Sequence, residues 1–285
     1  MDQATKLRSE IERKKFGSRP IKVISVTSGK GGVGKTQVTA NLALALRARG
    51  REVLIFDGDM GLANIDIIYN ISPPYNLQHL LTGQKTIQEV IFSGPDGVKI
   101  LPASSGVQEL TQMSADNKRS LMDQLEQIDG LFDYLIIDTA AGISDNVMYL
   151  NSAAQFIFVV VTPEPTSITD AYALMKVLSQ KYGEKTFHII TNQCASEAEA
   201  NNIFKSLVNA TDQFLEGVQL WHMHSFMTDP KVRQSITRQK PVIKFDEGSE
   251  IAKSFHAFAK KVEGLEVEQK KAGMQFFVQQ ALGRK

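Results

Sequence analysis

The stretch Gly29-Lys30-Gly31-Gly32-Val33-Gly34-Lys35-Thr36 constrains this chain more than any other. It has the spacing G-x-x-x-x-G-K-[ST], follows a short apolar run at residues 22–27 and opens a helix-period pattern at residues 36–49. Glycines let successive backbone N–H groups curl around phosphate oxygens, because a Cβ would block the approach or forbid the dihedrals. The helix that follows adds a positive partial charge directed at the anion. Lys35 is placed to reach the β- and γ-phosphates, and the Thr36 hydroxyl to bind Mg2+. Such a turn demands a strand running into a helix, with a nucleoside phosphate at the junction.

The rest of the sequence repeats that texture. Nearly continuous apolar runs at residues 21–27, 52–56, 98–101, 134–137, 156–161, 187–190 and 218–221 suit parallel strands buried on both faces. Helix-period stretches lie between them, notably 36–49, 166–182 and 196–210; the first carries Val38, Leu42, Ala45 and Leu46 on one face and stops at Gly50. The expected fold class is α/β, a doubly wound, mostly parallel sheet flanked by helices. At 285 residues and 42% hydrophobic, the chain can bury a sizeable core. Phe16-Gly17-Ser18-Arg19-Pro20 reads as a linker, so three segments are expected: 1–19, a core domain 20–262, and a tail 263–285.

Composition narrows the function. Lys and Arg total 32 against 31 Asp and Glu, a formal net charge of +1, which argues against specific nucleic-acid binding. The single cysteine, Cys194, excludes an intrachain disulfide and fits a reducing compartment. A polar, charged start and the absence of any long apolar run predict a cytoplasmic chain whose membrane contact is peripheral.

Two more segments fit phosphate chemistry. Val53-Leu54-Ile55-Phe56-Asp57-Gly58-Asp59 sets acids just past the C-terminal end of a strand, where open α/β sheets bind ligands. Leu135-Ile136-Ile137-Asp138-Thr139-Ala140-Ala141-Gly142 does the same and reads as a Walker-B-like acid followed by a loop. A P-loop enzyme needs a carboxylate near Mg2+ and a group that orients the attacking water.

With these residues in hand, the sequence resembles the MinD/ParA ATPases. Lys30, in K-G-G-V-G-K-T, is the extra lysine of their deviant P-loop; Phe56-Asp57-Gly58-Asp59-Met60-Gly61-Leu62-Ala63-Asn64-Ile65-Asp66 resembles their first switch, and Asp138-Thr139-Ala140-Ala141-Gly142 their second. Pro241-Val242-Ile243 extends the similarity over nearly all of residues 21–262. The resemblance implies that Lys30 contacts phosphate across an ATP-sandwiched homodimer and that Asp59 orients the water. It further implies that Asp57 and Asp138 sit near Mg2+ with Thr36, and that Asn192 meets adenine. ATP and Mg2+ are the implied cofactors. Asn117-Lys118-Arg119-Ser120 lacks the acid of a guanine signature, so ATP is favoured over GTP. Phe226-Met227-Thr228-Asp229-Pro230 lacks the proline expected at Met227, and these residues stay outside the expected site.

Within the family, Asp2-Gln3-Ala4-Thr5-Lys6-Leu7-Arg8 resembles the D-Q-A-x-x-L-R element of the flagellar-number regulators, the FlhG (FleN) branch. By that resemblance the element activates a partner GTPase of the FlhF type. A flagellar transcription regulator or switch-complex protein is a further implied partner. The tail carries Lys270, Lys271, Arg284 and Lys285, and sets Met274, Phe277, Val278, Ala281 and Leu282 on one helical face, with Phe276 off it. Residues 270–285 therefore read either as an amphipathic anchor on an anionic membrane or as a helix docked on its own domain.

The implied activity is slow, Mg2+-dependent ATP hydrolysis used as a switch for flagellar number and placement. Two rivals remain: a ParA-type ATPase that partitions DNA or protein cargo, and a nucleotide-sensing adaptor. His222 and His224 lack a recognisable third metal ligand and read as packing residues. Lys231, Arg233, Arg238, Lys240 and Lys244 form a basic stretch, either a solvated face or a site for nucleic acid or an acidic partner.

Overall fold

The computed structural model describes residues 21–59, 64–102, 124, 128 and 130–267. The Asp2–Arg8 element, Met60-Gly61-Leu62-Ala63 within the first switch-like segment, Asn117–Ser120 and the 270–285 tail lie outside the described residues.

Eight strands form one sheet: β1 (Lys22–Thr27), β2 (Val53–Gly58), β3 (Phe92–Ser93), β4 (Lys99–Pro102), β5 (Tyr134–Thr139), β6 (Phe156–Val161), β7 (Thr186–Cys194) and β8 (Gln219–Met227). Their order is β3-β4-β2-β5-β1-β6-β7-β8. Every pair is parallel except β3 with β4. The apolar runs explain this directly: β2, β5 and β6 are buried at every position, as strands covered on both faces must be.

The described helices are α1 (Lys35–Arg47), α2 (Asn64–Tyr69), α3 (Leu77–Leu81), α4 (Ile87–Val90), α5 (Asp145–Ser152), α6 (Pro165–Tyr182), α7 (Glu197–Phe214), α8 (Pro230–Thr237), α9 (Val242–Phe245) and α10 (Glu250–Glu263). On one face of the sheet, α1 and α10 pack Leu42, Leu46, Phe255 and Phe258 against Ile24, Val26, Ile55 and Phe158. On the other, α3, α4 and α5 cover β2 and β5, while α6 and α7 cover β6 and β7. Helix α10 is clamped at its end: Glu263 accepts from Arg49 and Arg51 at 2.6 Å each, and its carbonyl accepts from Lys22 Nζ at 2.8 Å.

Several strands run past their expected ends: β2 reaches Gly58 and β5 reaches Thr139, so Asp57 and Asp138 lie within the strands rather than just past them. β7 runs on to Cys194 and β8 to Met227, well past residues 190 and 221. β8 is an edge strand, and its exposed Trp221 and His222 break the apolar run. A register shift opposite Ile189 and Ile190 interrupts its alternation further. The two-residue antiparallel β3 was not legible, being too short to show a period. His224 packs into the core, its Nε2 2.8 Å from Ser254 Oγ and its ring against Phe226 and Phe258. No group of three His, Cys, Asp or Glu able to hold a metal occurs among the described residues.

Candidate functional site

The phosphate loop joins β1 to α1, as its sequence requires. It is braced from several sides. Ser28 Oγ donates to the Lys30 carbonyl at 2.6 Å, and the Gly142 N–H donates to the Ser28 carbonyl at 2.9 Å, tying the loop after β5 to the P-loop. Gly34 sits at φ 95°, a left-handed conformation, and a Cβ there would lie 2.4 Å from Asn192 Nδ2. Gly29 is equally constrained: a Cβ would lie 2.2 Å from the Asp170 carbonyl oxygen on α6. Close approach requires both glycines, and the left-handed backbone adds a second requirement at Gly34.

Lys35, Asp57, Asp59 and Asp138 converge behind this loop. Asp57 and Asp138 are register partners on adjacent strands, so the pleat puts both carboxylates on one face. Asp138 is fully buried; its Oδ1 accepts from Thr39 Oγ1 at 3.3 Å, and its Oδ2 has no partner among the described residues. Burial pushes its pKa up to about 7 despite the Thr36 hydroxyl and the Lys35 ammonium nearby. Asp57 is pushed up to about 8, by burial first and by the charge of Asp138 second. Burial also lowers the pKa of Lys35, with Asp138 and Asp59 opposing that shift. Asp59 Oδ2 accepts from Asn64 Nδ2 at 3.1 Å, so the first residue of α2 holds the acid in place.

This donor set suits a hard dication. Two buried carboxylates that resist sharing negative charge, one with an unpartnered oxygen, gain most from a cation that neutralises both. Thr36, Asp57 and Asp138 would hold Mg2+, which supplies charge neutralisation to the phosphates when bound. The nucleotide-free protein carries the cost of the pair. The folded pKa values lie above the unfolded ones, so the stability contributed by the protonated carboxyls is fully present below about pH 4 and is lost as pH rises through 7 and 8, where the charged pair destabilises the fold. Asp57→Asn is therefore expected to raise the melting temperature of the nucleotide-free protein at pH 8.5 by roughly 2–4 °C, with less gain at pH 6. A thermal melt at both pH values checks this; equal or lower values at pH 8.5 would refute it.

Beside the loop lies a cavity of about 370 Å³, lined by Gly32, Gly34, Gln37 and Asn192 on one side and by Phe226, Asp229, Arg233 and Ile236 on another. The Asn192 amide donates to the Val33 carbonyl at 2.8 Å, bracing the P-loop beside this cavity. Residues 226–229, left outside the expected site, supply part of the cavity wall. The resemblance marked this segment as lying on the ribose and adenine side, and its place beside the P-loop comes from the closing of the sheet and α8. Lys30 points away from its own loop: its Nζ pairs with Glu164 and donates to Thr166 Oγ1 at 2.8 Å, at the start of α6.

Comparison with known proteins agrees with this geometry. The profile of the ParA family, described as NUBPL iron-transfer P-loop NTPase, matches residues 20–263. The antiactivator FleN of Pseudomonas aeruginosa is 40% identical over 93% of this chain and 95% of its own. The flagellum site-determining protein YlxH of Helicobacter pylori is 32% identical over 77% of this chain and 74% of its own. Among solved structures, the cell division ATPase MinD of Pyrococcus furiosus matches with a TM-score of 0.68 and 26% identity, covering 86% of this chain and 99% of that one. MinD of Pyrococcus horikoshii complexed with Mg-ADP matches with a TM-score of 0.67 and 25% identity, covering 85% and 96%. With the deviant P-loop, the paired strand-end acids and the matching sheet, the chain belongs to the ParA/MinD family of P-loop NTPases and is a homologue of FleN.

Proposed function

We propose that this protein hydrolyses ATP with Mg2+ as a switch that sets flagellar number and placement. The carrying observation is the convergence of Lys35, Thr36, Asp57, Asp59 and Asp138 around one phosphate loop. Backbone N–H groups of residues 29–36 and Lys35 bind the phosphates, and Asn192 receives the base. Asp59, steadied by Asn64, orients the attacking water. Lys30 leaves Glu164 to reach the nucleotide of a second copy, giving an ATP-dependent homodimer. The names of FleN and YlxH support the flagellar output.

In this reading residues 20–262 are the ATPase domain, residues 1–19 activate an FlhF-like GTPase, and residues 270–285 carry the dimer to an anionic membrane surface at the cell pole. No helix among the described residues is long and apolar enough to cross a membrane. Two tails per dimer raise the effective concentration and make attachment depend on nucleotide. The test is twofold: phosphate release by the purified chain with and without Mg2+, and flagellar counts in a bacterium deleted for its FleN homologue and complemented with this gene. Mg2+-dependent turnover and restored counts are expected; absence of turnover with restored counts would reject the enzyme and keep the regulator.

That last outcome corresponds to a second reading, an adaptor of a flagellar transcription regulator, which the word antiactivator in the relative's name favours. Normal regulation by Asp59→Ala would support it.

A further inference from the structure

The basic stretch of the last quarter divides into two sets once folded. Lys231 pairs with Asp246, and Lys244 with Asp96 and Glu247. Arg233, Arg238 and Lys240 are exposed and have no acidic partner among the described residues. They flank Ile236, which is 48% exposed, one of five large apolar side chains exposed among the described residues. The turn that carries them is rigid. The Gln239 N–H donates to the Ile236 carbonyl and the Lys240 N–H to the Ser235 carbonyl, 3.0 Å each, with Gln239 in the left-handed region at φ 48°. This is the Schellman closure of a helix, built here without glycine. Arg233 and Ile236 also line the nucleotide cavity, so the patch begins at its lip.

We propose that the C-terminal turn of α8, with Arg233, Ile236, Arg238 and Lys240, is a docking surface for an acidic amphipathic segment of a partner protein. Charge complementarity identifies the partner's sign. The central isoleucine separates a protein segment from a nucleic acid: an apolar side chain gains nothing from a phosphate backbone, and three cations neutralise few phosphates. An acidic helix or strand with one apolar face satisfies both elements, the cations steering it and the isoleucine being buried on contact. The proposal does not depend on the flagellar output or on hydrolysis.

The test uses the full chain and a fluorescein-labelled peptide with Glu and Asp on one helical face and Leu and Phe on the other. Anisotropy titration is repeated with the same peptide carrying Gln for every acid, with random duplex DNA, and with phosphatidylglycerol vesicles. The acidic peptide is expected to bind saturably, more weakly as salt rises, and better than the Gln peptide. The double variant Arg238→Glu/Lys240→Glu should weaken it about ten-fold or more. Both side chains also complement the helix C-terminus, so Arg238→Gln/Lys240→Gln serves as the milder variant, with a melting temperature within about 2 °C of the parent. No saturable binding by the parent, unchanged affinity in both double variants, or preferential capture of DNA or vesicles through these residues would overturn the proposal.

Discussion

Lys35→Ala is expected to abolish useful ATP affinity, whereas Asp59→Ala is expected to bind ATP normally and hydrolyse it poorly. The difference follows from where each side chain sits. Lys35 is nearly buried beneath the phosphate loop and is the cation that Asp138 and Asp59 face. Removing it leaves two buried acids next to the incoming phosphates, and affinity should fall roughly 100-fold or more, because a charge-assisted contact is lost and repulsion is left behind. Asp59 is only partly buried and is held by Asn64. If Asp59 orients the water as proposed, its loss should cost about 10²–10⁴ in rate while binding persists through Lys35 and the loop. Calorimetry with ATP and a phosphate-release assay separate the two. Normal turnover by Asp59→Ala would mean that another group orients the water.

The second large effect is on self-association. Lys30→Ala, examined in the Asp59→Ala background so that ATP persists, should remain a monomer that still binds nucleotide. A charged contact at the centre of an interface is worth about 2–5 kcal/mol when one partner is truncated, enough to raise the dimer dissociation constant at least about 30-fold. The fold adds a test of sign. In the single chain Lys30 is held by Glu164 and Thr166, so in the proposed dimer that contact would have to open. The pair is partly exposed and contributes at most about 1 kcal/mol. Glu164→Gln should therefore favour the dimer by no more than about five-fold. Analytical ultracentrifugation in ATP reads both variants; a stable Lys30→Ala dimer would remove the reason for assigning the lysine a role across the interface.

Much of the site was legible because it is written in short, local patterns. The P-loop spans eight consecutive residues, and each acid follows an apolar run that ends on it, so strand, turn and chemistry share one window of sequence. The deviant lysine and the switch-like segments carried the family by the same means. The parallel sheet was legible for a related reason: strands buried on both faces are apolar at every position, as β2, β5 and β6 are. β8 was truncated because an edge strand is wetted on its outer side and mixes Trp, His and Ser with its core residues.

What only the tertiary structure decided are the contacts between distant parts of the chain. Asn192 braces Val33 across 159 positions, and Lys30 reaches Glu164 across 134. The cavity wall from Phe226 to Ile236 meets the P-loop only because β8 and α8 close over it. Likewise, of five similar cations in one basic stretch, Lys231 and Lys244 found Asp246, Asp96 and Glu247, while the other three have no acidic partner among the described residues. Local sequence sets which groups are available to the site, since propensity and period act over a few residues. Partnership is settled by chain closure, because Coulomb attraction and hydrogen bonding act over a few ångströms of space, whatever the separation in sequence.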